Sequence, residues 1–141
     1  MTTSEVNYAG FWKRWAAYTL DGVLISFFLN SIYYQIQFRF FYNADDFMQV
    51  VVYSLTTLSF SWAYFAGMES SPLRATLGKM ALGLFVTDEE GQRITFGRAT
   101  GRFFGKIISS FILCIGFMMA GWTPLKQTLH DKMAKALVIQ K

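Results

Sequence analysis

The chain has 141 residues, of which 53% are hydrophobic and 16% charged, and its formal net charge is +4. That length allows one domain, and the apolar residues fall in long runs rather than in the alternating or amphipathic patterns of a soluble core. The single cysteine, Cys114, excludes an intrachain disulfide. A positive net charge beside such runs fits basic residues held at a cytoplasmic membrane face rather than a nucleic-acid partner.

Three runs reach membrane length. Trp15 to Phe38 carries Asp21 as its one charge, and Phe47 to Met68 and Ile107 to Leu125 carry none. Crossing the ~30 Å hydrocarbon layer takes about 20 apolar residues, so the chain reads as an integral membrane protein. The first run is too long for a cleaved signal peptide, and the bulky Ile32-Tyr33-Tyr34-Gln35 offers no cleavage site.

Residues 1–9 are polar, and the first helix is expected over 10–37. Arg14 and Asp21 lie two turns apart on one face, about 10.5 Å along the axis. An aspartate at that depth costs roughly 2.5–3.5 kcal/mol and needs a partner. Asn30 is on the opposite face and does not qualify. Trp12, Trp15 and Tyr18 at one end, and Tyr33, Tyr34 and Tyr42 towards the other, read as interfacial aromatic belts.

A short polar loop ending in Asp45-Asp46 leads to a second helix over 47–68. Its hydroxyls at Ser54, Thr57, Ser61 and Tyr64 recur at helical spacing and read as interhelical glue. Glu69 closes this helix on the side of Arg14. Ser70-Ser71-Pro72 has the form of a helix start, which predicts an amphipathic interfacial helix over 72–82. Strand formers on either side of Asp88-Glu89-Glu90-Gly91 predict a β-hairpin over 84–96, outside the hydrocarbon because its edges are unpaired.

A third membrane segment is expected over 97–122. Gly97, Gly101 and Gly105 form a small-residue stripe suited to close helix packing, with Arg98, Arg102 and Lys106 alongside. The tail, 126–141, contains Leu129-His130-Asp131 and a third strand candidate at Ala136 to Gln140. Six basic residues between Glu69 and Lys106, against Arg39 alone in the 38–46 loop, place the N-terminus and the 69–106 region in the cytoplasm. A simple third span would export the basic tail. A segment that breaks near Cys114-Ile115-Gly116 and re-enters keeps it inside, and re-entry requires shielding by protein.

Three stretches resemble the RDD family of membrane proteins, named for one arginine and two aspartates. Tyr8 to Arg14 followed by Leu20-Asp21-Gly22 resembles its first helix. Ala75 to Val86, containing Thr76, Gly78 and Lys79, resembles its central T-x-G-K segment. Leu129-His130-Asp131-Lys132-Met133-Ala134 resembles its closing L-H-D-x-x-A motif, which marks Asp131 as the second aspartate. Lys135-Ala136 departs from the family, which often has glycine-threonine there. The resemblance covers nearly the whole chain and implies its architecture. It also implies transport, some members being described as cation/proton antiporters.

The expected fold is therefore mainly helical: two spans, a re-entrant third segment, an interfacial helix and a small cytoplasmic sheet. No nucleophile–base set, metal spacing or phosphate loop is present, so neither an enzyme nor a cofactor is expected. Asp21, Arg14, Asp131 and Glu69 are the candidate ion- or proton-binding residues. Gly97, Gly101, Gly105, Thr76, Gly78, Lys79 and His130 are read as structural. Asp21 admits two readings, a protonatable carrier site or a structural hydrogen-bonding group. A carrier of three membrane segments requires a homo-oligomer and takes monovalent cations and protons as partners. The rival is a non-transporting scaffold, assembly factor or lipid-binding module in the plasma (inner) membrane.

Overall fold

The first helix, α1, runs over Phe11–Phe40, and α2 over Asp46–Ser70. The computed structural model describes residues 7–111 and 125–140. At 1.5 Å per residue these helices are about 45 and 37 Å long, enough to cross a bilayer. Their apolar residues are largely exposed, Val23, Phe27, Val50 and Leu55 among them, as lipid-facing surfaces require. Inward, α1 buries Ala17, Asp21, Ile25 and Leu29, one residue per turn. Ile25 and Leu29 meet Phe65 of α2 and Phe103 in an apolar cluster. Asp45 caps α2 by accepting from the Met48 N–H at 2.7 Å, so the acidic pair in the loop is a helix start.

After α2 the chain departs from expectation. Ser71 ends α2 rather than opening a helix, and Arg74 takes a left-handed φ of 53°. The next helix, α3, covers only Leu77–Ala81, with Thr76 as its N-cap. The predicted interfacial helix over 72–82 is thus one short turn, and it docks on α1 instead of lying free in the membrane plane.

The hairpin over 84–96 is also corrected. Strand β1, Leu84–Asp88, pairs antiparallel with β2, Ala136–Gln140, in the register Leu84↔Gln140, Val86↔Val138 and Asp88↔Ala136. Residues 92–95 never form the second arm, because Asp88 folds the turn onto itself by accepting from the Gln92 N–H. Helix α4, Phe96–Phe111, then begins. The far edge of β2 is covered by residues 7–9: Ala9 N–H donates to Val138 and Gln140 N–H to Asn7. Of the three stretches expected as strands, those at 84–88 and 136–140 are strands, paired with each other, and the one at 93–96 is not.

The third segment is described as far as Phe111; its break near Cys114 and its return fall outside the described residues. A further short helix, α5, spans Leu129–Met133. Small residues close the cap: Ala9, Ala17, Ala66, Ala99, Ala134 and Ala136 pack with Leu84, Val86, Ile94 and Val138.

Candidate functional site

Asp21 is fully buried where α1, α2 and α3 meet. Its Oδ1 accepts from the Tyr64 hydroxyl and from the Gly78 N–H, both at 2.7 Å, and its Oδ2 accepts from Thr76 Oγ1. Tyr64 Oη in turn accepts from the Leu77 N–H at 3.1 Å. Two of the orphan N–H groups that open α3 are therefore satisfied by α1 and α2, in place of a cap from Thr76 itself. Only glycine fits at 78: a Cβ there would lie 2.2 Å from the Ala17 carbonyl oxygen and 2.9 Å from Asp21 Cγ. The T-x-G spacing thus serves the carboxylate.

Neither Arg98 nor Arg102 of the third segment pairs with Asp21, whose donors are a backbone N–H and two hydroxyls. Arg98 is exposed and lies 4.0 Å from Asp88. Arg102 is buried and joins the other two acids: Nη1 reaches Glu69 Oε2 at 2.6 Å, while Nε and Nη2 reach Asp131 Oδ1 at 3.1 and 2.6 Å. Glu69 Oε1 also accepts from Lys79 at 2.5 Å and from Lys106 at 3.2 Å. Asp131 Oδ2 takes Arg14 and the Thr128 N–H that opens α5. Arg74 turns outward to the Gly91 carbonyl and Lys79 to Glu69, so neither pairs with Asp131.

Arg14 and Asp21 share a face, as expected, yet do not pair. Arg14 donates to Asp131 and, through Nε, to the Ala9 carbonyl at 3.0 Å. Its Nη2 is buried and has no hydrogen-bond partner among the described residues. His130, read as structural, is buried. Gly105 makes room for it, since a Cβ at 105 would lie 2.8 Å from His130 Cβ. Gly97 and Gly101 have open space instead. Ser54, Thr57 and Ser61 line a cavity of about 470 Å³ between α1, α2 and α4.

The environment sets protonation in the cap. Burial, reinforced by Lys106 and Arg102 and opposed by Glu69, lowers Lys79 to about 8. Burial lowers His130 to about 3, against the pull of Asp131. For Asp131 burial works upward but is outweighed by Arg102 and Arg14, so it stays well below the usual carboxylate range.

The RDD family model matches residues 8–135, and so takes in all of these positions except the end of the sheet. The chain belongs to the RDD family. Two relatives from Bacillus subtilis (strain 168) are similar to it along their length. One is the uncharacterized protein YxaI, 32% identical over 94% of this chain and 97% of its own. The other is the uncharacterized membrane protein YteJ, 33% identical over 95% of this chain and 82% of its own. No solved structure matches the chain. This RDD protein is thus an integral membrane protein with two candidate spans. The arginine and the two aspartates fall into separate constellations: Asp21 clasps α3, while Arg14 and Asp131 belong to the ion-pair network with Arg102 and Glu69.

Proposed function

We propose that this RDD protein is a non-catalytic, non-transporting membrane module, a lipid-interacting scaffold. It sits in the plasma membrane with its N-terminus and the 69–106 region on the cytoplasmic side. One observation carries this reading: Asp21, Glu69 and Asp131 are each filled by donors of the chain itself. No buried carboxylate among the described residues is left open to a passing cation. Among the described residues the ion-pair network also holds Arg14, Lys79, Arg102 and Lys106 on Glu69 and Asp131, an arrangement that disfavours a further cation.

A second reading, cation/proton exchange through a homo-oligomer, is favoured by the donor set of Asp21. All three donors are uncharged, so protonating Asp21 strands no buried cation, whereas protonating Glu69 or Asp131 does. The test is cation-driven proton movement in proteoliposomes, with sodium, potassium and lithium, for wild type and Asp21→Asn. The module reading expects no flux in either. Flux in wild type that disappears in a well-folded Asp21→Asn establishes the carrier.

A further inference from the structure

We propose that the groove between the start of α4 and the end of α5 holds the headgroup of an anionic phospholipid. The inference deepens the lipid-interacting reading and rests on it for the cytoplasmic side of the membrane. Gly97, Arg98 and Gly101 of α4 form one wall, and Met133, Ala134 and Lys135 form the other, around a volume of about 430 Å³. Sites for small molecules occupy about 300–1,000 Å³.

The depth of the groove follows from α2. Thr100 accepts from Trp62 Nε1 at 3.1 Å, and Arg102 holds Glu69. Gly101, between them in sequence, therefore lies level with the last two turns of α2, where that span ends. A Cβ at Gly97 or Gly101 would meet only open space, so this side of α4 faces outward. Phe104 and Ile108, 46% and 48% exposed, continue the same face at three- and four-residue spacing. An apolar strip for an acyl chain thus leads away from the groove, and Met133 is 61% exposed on the opposite wall.

Charge selects the occupant. Arg98 and Lys135 are both exposed, and no acid is among the described residues that line the groove. Asp88, 4.0 Å from Arg98, is a weak competitor, because the Arg98 side chain is 44% exposed. Lys135 holds a left-handed φ of 48° where glycine would be less strained, and strain of this kind clusters at ligand sites. The cytoplasmic leaflet carries the negative surface charge that draws arginine and lysine, and the guanidinium of Arg98 matches a phosphodiester. A second copy of the chain is the poorer occupant. Twofold packing would set this patch, with its two cations, against itself.

The test uses the full chain purified in a maltoside detergent. Phosphatidylglycerol and zwitterionic phosphatidylcholine, which share the phosphodiester, are titrated separately against thermal unfolding. Phosphatidylglycerol should raise the unfolding temperature at lower concentration than phosphatidylcholine. Arg98→Gln and Lys135→Gly should each move the phosphatidylglycerol midpoint up by about fivefold, the worth of one cation at an anionic surface. Lys135→Gly relieves the backbone, so weaker binding there cannot be laid to misfolding. Gly101→Leu keeps every charge but fills the groove, and should also bind more weakly. Lys132→Gln, exposed on α5 but outside the groove, should leave the midpoint unchanged. An equal response to the two lipids, or a phosphatidylglycerol midpoint unchanged in Lys135→Gly and Gly101→Leu, overturns the proposal. So does a particle mass in light scattering of two chains for wild type and one for Gly101→Leu, which would put a second copy on this face. Ion flux in proteoliposomes would overturn the module reading without touching these titrations.

Discussion

Gly78→Ala tests the clasp around Asp21. The new Cβ would sit 2.2 Å from the Ala17 carbonyl oxygen, short of an ordinary contact by roughly 1 Å. The neighbours are backbone and a locked carboxylate, so α3 must retreat. Retreat stretches the 2.7 Å bond from Gly78 N–H to Asp21 and strains those from Thr76 to Asp21 and from Leu77 to Tyr64. Overpacking costs about 1–3 kcal/mol, and losing a hydrogen bond to a buried charge about 1.5–3 kcal/mol, which together give a destabilisation of about 2.5–6 kcal/mol. Thermal or denaturant unfolding in detergent measures it. Gly97→Ala and Gly101→Ala are the controls: open space surrounds both, and alanine gains up to about 1 kcal/mol in a helix. A Gly78→Ala protein within about 1 kcal/mol of wild type, no more than an average point substitution costs, would refute the clasp.

Three further outcomes are expected. Arg102→Leu removes the group shared by Glu69 and Asp131 and should cost about 3–5 kcal/mol in unfolding experiments, whereas Arg98→Leu should stay within about 0.5 kcal/mol. The unfolded chain takes up a proton on His130 near its ordinary value of 6.5 while the folded one resists to about 3. Stability should therefore fall as pH drops from about 6.5 towards 3, by a few kcal/mol, and a melting series on His130→Asn should show a shallower acid limb. Lys135 holds a left-handed φ of 48°, a conformation that costs a non-glycine residue roughly 1 kcal/mol. Lys135→Gly should raise the unfolding temperature slightly, and Lys135→Val, being β-branched, should lower it.

The two spans were legible because membrane crossing imposes a length and a composition that local sequence must meet. The helical spacing around Asp21 picked out Ala17 and Ile25 on the inward face of α1, but not Leu29, which packs there with them. What the local pattern could not supply was partnership at a distance. β1 ignores the nearby strand-like residues 93–96 and pairs some fifty positions away, since the Asp88 turn closes too tightly to return a strand. Ser70-Ser71-Pro72 had the chemistry of a helix start, but Asp21 and Tyr64 supply the caps for a turn that begins five residues later, and they come from other helices. Arg98, Arg102 and Lys106 look alike by spacing. Arg102 and Lys106 face the acids, and Arg98 faces out. Tyr64 was visible as one hydroxyl of a stripe, and nothing in its sequence neighbourhood set it apart from Ser61 or Thr57. The left-handed φ of Lys135 was not read from the sequence, where the residue stood only as a departure from the family pattern.

The pairing of Arg14 with Asp131 joins residues 117 positions apart, and the same late stretch supplies the strand that covers both β1 and residues 7–9. During synthesis, α1 and α2 therefore enter the bilayer well before the acid that neutralises Arg14 exists. Until α5 emerges from the ribosome, Arg14 can be solvated by headgroups at the membrane surface, and Arg102 has Glu69 but not Asp131. Chain order makes the residues of the spans available first, those of the clasp on α3 next, and those that complete the charge network last. A ribosome stalled before residue 129 would display a chain that lacks Asp131 and β2, and whose cap should be open to protease.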